Sequence, residues 1–163
     1  MVVVYYDLET TGLNVNRDQI VSIGAVTENG DEFEEYVVPT CRIHKNATKV
    51  HGIAKDHRNN RIYDVNTRYY IDADDDPENV LRRFMTWLWD NNATFLVAHA
   101  NLRFDSIIFE NCMEKFGLAD ECDADQGENV IQLVDSLEIM SGKFIFVLIQ
   151  SDYELTRFIY LLT

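Results

Sequence analysis

The stretch Asp7-Leu8-Glu9-Thr10-Thr11-Gly12-Leu13 follows directly on the apolar run Val2-Val3-Val4-Tyr5-Tyr6. A run of β-branched and aromatic residues is typical of a buried strand. Because side chains alternate along a strand, Asp7 and Glu9 are predicted to point to the same side of it. Paired carboxylates on a buried strand are costly unless a cation neutralises them, and Mg²⁺ prefers carboxylate oxygens. The stretch therefore predicts two metal ligands at a strand end, followed by a turn in which Gly12 is free to take a positive φ.

A second segment carries a third candidate acid. Phe95 to Ala98 is predicted to form a strand, and residues 99–105 lead through a turn into a helix. The apolar residues of that helix recur at helical spacing, namely Ile107, Ile108, Cys112 and Phe116, and Gly117 marks its end. Asp105 lies in its first turn, where a carboxylate also suits the helix dipole, so an ordinary acid at a helix start is the alternative interpretation.

Both segments resemble motifs of the DEDD-type 3′–5′ exonucleases, in the histidine-type, DnaQ-like branch of the ribonuclease H-like fold. D-x-E-T-T-G-L is similar to the first motif, and V-A-H-x-x-x-R-F-D to the second. The resemblance implies that Asp7, Glu9 and Asp105 are catalytic and hold a two-metal site for Mg²⁺ or Mn²⁺. It also implies substrate-binding residues that meet a 3′-terminal nucleotide, with these candidates: Thr10, Thr11, Leu13, His51 and Arg103. The family usually has asparagine directly after the histidine, whereas here Ala100 stands there and Asn101 follows.

The rest of the chain predicts an α/β fold. Strands are predicted over residues 19–27 and 31–38, joined by the hairpin signal Asn29-Gly30. With residues 2–7 they make a three-stranded antiparallel meander, to which the later strands add in parallel, including one at 133–137. Helices are predicted at residues 45–53 and after Asp76-Pro77. This order is that of the ribonuclease H-like mixed sheet flanked by helices, and the region around residue 50 resembles the three-prime repair exonucleases and the exonuclease-like domain of PML proteins.

The third motif of the histidine-type subgroup, H-x-x-x-x-D, is missing after residue 140. No histidine follows His99, and the only acids of the tail are Asp152 and Glu154. The expected domains are therefore an exonuclease-like domain at 2–140 and an atypical apolar tail at 141–163, which leaves the fold incomplete at its C-terminal end. We expect a metal-dependent 3′–5′ exonuclease of DNA or RNA that is weak or inactive as this chain. The alternatives are a non-catalytic exonuclease-like module that binds nucleic acid or protein, and a truncated gene product.

Composition sets limits on these hypotheses. The chain has 163 residues, 47% of them hydrophobic, which predicts one folded domain. Three cysteines without metal-type spacing, no signal peptide and no long apolar stretch predict an intracellular protein, nuclear or cytoplasmic, with no membrane association. The net charge of −14 opposes extensive contact with nucleic acid. The expected partner is therefore a short single-stranded 3′ end, bound weakly and with strong dependence on salt.

Overall fold

The structure, a computed structural model, describes residues 1–118 and 131–137, and the backbone of residues 146–148. A six-stranded mixed sheet has the strand order β3-β2-β1-β6-β7-β8, and β4 and β5 form a separate two-stranded sheet. The strands are β1 (Val2–Thr10), β2 (Ile20–Thr27), β3 (Glu32–Tyr36), β4 (Ile53–Asp56), β5 (Arg61–Asp64), β6 (Ala93–Ala98), β7 (Gln132–Asp135) and β8 (Phe146–Leu148). The helices are α1 (Lys45–His51), α2 (Pro77–Asp90) and α3 (Asp105–Lys115), with a 3₁₀ turn at Asn101–Arg103.

The predicted mixed sheet is confirmed. Strands β1, β2 and β3 pair antiparallel, and Gly30 in the hairpin between β2 and β3 has a φ of 90°, as the Asn-Gly signal requires. Strand β6 pairs with β1 in parallel, and β7 pairs with β6 in parallel. In this register the last residues of β6 and β7 lie beside the middle of β1, whose residues after Tyr5 extend beyond the paired stretch.

Helix α2 closes one face of the sheet. Asp76 caps it by accepting a hydrogen bond from the backbone N–H of Glu78 at 2.9 Å, and Pro77 occupies its first turn, as predicted. Its buried side chains recur at helical spacing: Val80, Leu81, Phe84, Met85 and Leu88. They pack in one core cluster with the inner face of β1, from which Val4, Tyr6 and Leu8 point toward them. This packing fixes which face of β1 is the outer one.

The predicted apolar face of α3 is partly wrong. Ile108 is buried as expected, but the other fully buried apolar side chains of the helix are Phe109 and Met113. Ile107 and Cys112 are only half-buried. The reason is that Asp105 and Ser106 turn inward at the start of the helix, which rotates the buried stripe toward them.

Residues 54–75, for which the sequence has no clear periodicity, contain the hairpin of β4 and β5. Val21, Ile53 and Ile62 form a second, small core cluster beneath it. The hairpin is therefore packed on the outer side of the main sheet, next to the strand ends, and not on the helix-covered face.

Strand β8 comes from the segment predicted as an atypical tail, and its backbone pairs antiparallel with β7. The remaining tail residues, including Asp152 and Glu154, lie outside the described residues. Within the described part of the chain, no helix combines the length and the apolar character that crossing a bilayer requires.

Candidate active site

The two acids of β1 lie on its outer face. Asp7 is exposed and Glu9 is half-buried, while Tyr6 and Leu8 between and beside them are buried on the opposite face. This alternation is the one that a period of two requires. Burial raises the pKa of Glu9, and the negative charge of Asp7 raises it further. The two carboxylates are therefore close enough to repel each other on one face of the strand.

Asp105 approaches β1 from the start of α3. It is only 4% exposed, and its carboxylate accepts a hydrogen bond from the backbone N–H of Leu8. Strand β1 pairs with β6 only as far as Tyr5, so Leu8 lies beyond the paired stretch. Burial raises the pKa of Asp105 to about 6. The charge of Asp7 adds to this rise, and that of Glu9 adds less, while hydrogen bonds from backbone N–H groups act in the opposite direction. The carboxyl group of Asp105 thus interacts electrostatically with both acids of β1.

The turn before Asp105 is held by a buried asparagine. Ala100 adopts a left-handed conformation with a φ of 55°, and Asn101 after it is fully buried. The Asn101 side chain accepts a hydrogen bond from the Tyr6 hydroxyl at 2.5 Å and donates to the carbonyl oxygens of Leu96 at 3.3 Å and Val134 at 3.0 Å. It therefore joins three neighbouring strands at the point where the chain turns toward Asp105.

A buried acid on β7 supports the same turn. Asp135, 1% exposed, accepts hydrogen bonds from the backbone N–H groups of Leu102 at 3.2 Å and Leu137 at 2.9 Å. The sequence pattern predicted the strand around Asp135 but gave this acid no role. Its position could have indicated a role, because Asp135 lies at the C-terminal end of a parallel strand, where functional side chains often lie.

The threonine hydroxyls of the turn after Glu9 form hydrogen bonds within the protein. Thr10 donates from its hydroxyl to the Gly12 carbonyl at 2.7 Å, and the Thr11 hydroxyl donates to the carboxylate of Asp18 at 3.1 Å. Both threonines are buried, whereas Leu13 is 85% exposed. The structure thus leaves Leu13, rather than the two hydroxyls, accessible to a ligand.

Gly12 does not use its freedom to take a positive φ. Positive φ among the described glycines occurs at Gly30, Gly52 and Gly117. Gly12 is required for a different reason, since a Cβ atom there would meet the Asp18 carboxylate at 2.5 Å and the His44 ring at 3.0 Å. Close approach of Asp18, not an unusual backbone angle, excludes a side chain at this position.

Helix α1 contacts the backbone of the turn at both ends. The backbone N–H of His44 donates to the Thr11 carbonyl at 2.8 Å, and Nε2 of His51 lies 3.3 Å from the Thr10 carbonyl. Nδ1 of His51 accepts from the Ile53 N–H at 3.1 Å, so Nε2 carries the proton and the ring is neutral in this arrangement. Burial lowers the pKa of His51, against a smaller opposite effect of the Thr10 carbonyl. His51 therefore lies beside the backbone that follows the two acids.

The other candidates occupy the edge of the same region. Arg103 is exposed in the 3₁₀ turn that precedes Asp105. His99, at the end of β6, lies with Nδ1 3.3 Å from the Ser136 hydroxyl, next to β7. In this arrangement, no three His, Cys, Asp or Glu side chains of the described residues are grouped closely enough to hold a metal ion. The donor chemistry still fits a hard cation, because the charge of Asp7 raises the pKa of both Glu9 and Asp105 and a bound cation would offset that repulsion.

Comparison with known proteins decides the family. The RNase_T model, described as an exonuclease, matches residues 4–144. The chain belongs to the RNase_T exonuclease family. Among the curated relatives of this chain, the PolC-type DNA polymerase III of Listeria monocytogenes is 30% identical over 138 residues, which cover 82% of this chain and 8% of that protein. The PolC-type polymerase of Lactococcus lactis is 30% identical over 107 residues, covering 62% and 6%. The chain thus spans less than a tenth of the length of these relatives.

Solved structures of exonuclease I share the fold of this chain. E. coli exonuclease I in complex with a dT13 oligonucleotide superposes with a TM-score of 0.57 at 16% identity, covering 85% of this chain and 28% of that one. Exonuclease I from Methylocaldum szegediense gives a TM-score of 0.57 at 15% identity with the same coverage, 85% and 28%. The fold of this chain is therefore the one that these exonuclease I structures have.

Proposed function

We propose that this chain hydrolyses the terminal phosphodiester bond at the 3′ end of single-stranded DNA or RNA. The observation that carries the proposal is the position of Asp105, whose buried carboxyl group faces β1 and responds to the charges of Asp7 and Glu9. Three acids from two separate motifs act on one another at the common edge of parallel strands. That edge is where open α/β sheets place their ligands.

Asp7, Glu9 and Asp105 would hold Mg²⁺ or Mn²⁺. Divalent ions supply charge stabilisation for the attacking and leaving oxygens of a phosphodiester. The protein's own groups then position the substrate: Leu13 offers an exposed apolar contact, and helix α1 fixes the backbone of Thr10 and Thr11. Exposed Arg103 adds a positive charge at the entrance to α3 for a phosphate group.

Digestion of a 5′-labelled single strand in Mg²⁺ or Mn²⁺ tests the proposal. A ladder that shortens from the 3′ end, and that disappears with Asp7→Ala, is the expected result. Asp31→Ala is a suitable control, because Asp31 lies in the hairpin between β2 and β3 and is exposed. Loss of activity in both variants, or cleavage inside the strand, would contradict a 3′–5′ exonuclease with Asp7 at its centre.

A non-catalytic nucleic-acid-binding module is the second candidate. The observation that favours it is the lack of any histidine after His99, since histidine commonly serves as the general base near neutral pH. Binding of the labelled strand without digestion, in the parent and in Asp7→Ala alike, would support this alternative.

A further inference from the structure

We propose that helix α1 and the β4–β5 hairpin form a binding surface for the phosphodiester backbone of a single strand, upstream of its 3′-terminal nucleotide. This surface, residues 42–70, is called the basic face below. The inference rests on the proposed function for the position of the 3′ end. It adds a second contact region, outside the acids and the turn after Glu9.

Charge is strongly segregated along this chain. Residues 42–70 contain seven of its 14 lysines and arginines and three of its four histidines, but only two of its 28 acids. The net charge of the basic face is therefore positive, although the whole chain carries −14. A clustered positive surface on an acidic protein is the electrostatic footprint expected of a site for a polyanion.

Two arginines of the basic face are available to a ligand. Arg58 and Arg68 are exposed and border a groove of about 530 Å³, together with His57. Among the described residues, neither guanidinium forms an ion pair. By contrast, Arg83 on α2 is paired with Glu35 at 2.5 Å and Asp74 at 3.0 Å. The arginines of the groove thus retain the capacity to bind phosphate oxygens.

The single acid in the groove is already occupied. Asp56 accepts hydrogen bonds from the Tyr70 hydroxyl at 2.8 Å, from the Arg58 backbone N–H at 2.9 Å and from the Asn59 side-chain amide at 2.7 Å. These bonds, that of Tyr70 first, lower the pKa of Asp56 to about 2. Asp56 therefore organises the hairpin turn and keeps its negative charge, but it forms no ion pair with Arg58 or Arg68, whose two charges outnumber it.

Aromatic rings accompany the positive charges. Tyr69 is 77% exposed and Tyr70 is 43% exposed, and the Arg61 guanidinium lies over the Tyr70 ring, 4.2 Å from its centroid. Proteins that bind single strands without reading sequence combine a positive groove with aromatic side chains on which bases stack. The combination favours a nucleic acid with unpaired bases over an acidic protein or a membrane surface.

The basic face adjoins the proposed 3′ end. Its hairpin is held to the end of α1 by the Val65 N–H, which donates to the Gly52 carbonyl at 2.8 Å, and His51 contacts Thr10. The pKa of Tyr36 is raised to about 12, mainly by its hydrogen bond to Glu34 and by burial. The negative charges of Glu9, in the candidate site, and of Asp64, at the end of β5, also raise it. Tyr36 therefore lies within electrostatic reach of the candidate site and of the hairpin base. Each strand of the hairpin is four residues, about 13 Å, so a bound strand reaches the groove within a few nucleotides.

Fluorescence anisotropy with 5′-labelled dT12 and rU12 in EDTA tests the inference without needing hydrolysis. The variant is Arg58→Gln with Arg68→Gln. The control is Arg82→Gln with Lys115→Gln, which removes the same charge from half-buried Arg82 on α2, where it pairs with Glu78, and from exposed Lys115 on α3. We expect the groove variant to weaken binding at least about fivefold and to lower the slope of log K against log salt by about 1.4, at about 0.7 per lost phosphate contact on a single strand. The control should change affinity less than about twofold. The arm with the larger loss identifies DNA or RNA as the preferred backbone.

Equal losses in the two double variants would overturn the inference, because general charge and not the groove would then set affinity. Binding of the parent to anionic phosphatidylserine vesicles but to neither oligonucleotide would overturn it in favour of a membrane surface. If the groove variant fails to fold, Tyr69→Ala carries the test: we expect about a fivefold loss from one lost stacking contact, and unchanged affinity would overturn the inference. If the parent binds the strand but does not digest it, only the proposed function is refuted. If the parent digests the strand and the groove variant binds as tightly as the parent, only this inference is refuted.

Discussion

The hydroxyl of Tyr6 on β1 donates a hydrogen bond to Oδ1 of Asn101, which lies 95 positions later in the chain. Both side chains are buried, and Asn101 uses its amide nitrogen for Leu96 and Val134 at the same time. In the motif that the sequence resembles, asparagine directly follows the histidine, so Asn101, one position later, is a departure from that motif. The structure shows that Asn101, one position later, ties β1, β6 and β7 together beside Asp105.

Asn101→Ala should therefore destabilise the protein. It removes the acceptor of the Tyr6 hydroxyl and one hydrogen bond from each of two carbonyl oxygens. An unmet buried group costs about 1–3 kcal/mol, so we expect a total loss of about 3 kcal/mol. Tyr6→Phe removes the donor and leaves one acceptor unmet, for which about 1–2 kcal/mol is expected. Urea unfolding of each variant and of the double variant gives the coupling, and additive losses would show that the two side chains do not act as one unit.

Stability should depend on pH through Asp105. Its pKa is raised to about 6 in the folded state, against about 3.9 in an unfolded chain, so between these values the folded state binds more protons. The stability of the metal-free protein should therefore be highest below pH 4 as far as this group is concerned, and should fall by up to about 3 kcal/mol as the pH rises through 6. Glu9, whose pKa is also raised, acts in the same direction.

Asp105→Asn isolates this effect, because an amide cannot ionise. In EDTA, urea unfolding should show the variant gaining stability relative to the parent from pH 4.5 to pH 7.5. A parent and variant with parallel pH profiles would show that the Asp105 carboxyl is not the group responsible.

Gly12→Ala should destabilise the turn after the acids. The added methyl group would meet the Asp18 carboxylate at 2.5 Å, and Asp18 is itself held by Thr11 and by the Asn14 N–H at 2.8 Å. We expect a loss of about 1–3 kcal/mol, the usual range for overpacking. Gly24→Ala is the matched control, since nothing lies within 4 Å of a Cβ at Gly24, and its melting temperature should stay the same or rise. A similar loss in both variants would point to strand or turn propensity instead of the contact with Asp18.

Catalysis by this 163-residue chain should be slow. The sequence supplies three of the family's four acids and no histidine after His99, and general-base assistance contributes about 10²–10⁴-fold. We expect hydrolysis at least about 10³-fold slower than that of a relative with the third motif, measured as single-turnover release of the 3′ nucleotide. Robust digestion that Asp7→Ala abolishes would contradict this expectation and would direct attention to Asp152 or Glu154 as the substitute acid.

The elements that sequence reasoning predicted well are those with a strong local signal. Period-two alternation places Asp7 and Glu9 on one face, and the Asp76-Pro77 cap together with helical spacing predicts α2. Helix α1 also ends as predicted, with Gly52 left-handed at a φ of 78°. In each case neighbouring residues alone determine the local geometry.

The features that were missed depend on side-chain contacts that no residue pattern marks, several of them between distant parts of the chain. The Asp18 carboxylate determines the need for Gly12, and the roles of Asn101 and Asp135 come from strands that lie 33 or more positions away. The β4–β5 hairpin has four-residue strands whose ends are held by Asp56 and Asp64 side chains bound to backbone N–H groups, so no apolar alternation marks it. Such features become visible only when the fold brings the partners together.

The segregation of charge onto the basic face has a practical consequence for handling the protein. A chromatographic resin senses the surface within about 10 Å at 0.1 M ionic strength, not the total charge of the molecule. At low ionic strength this acidic protein should therefore adhere to an anion exchanger through its many carboxylates, and also to immobilised heparin through residues 42–70. Elution from heparin at lower salt after Arg58 and Arg68 are changed to glutamine would make a simple column a readout of that one face.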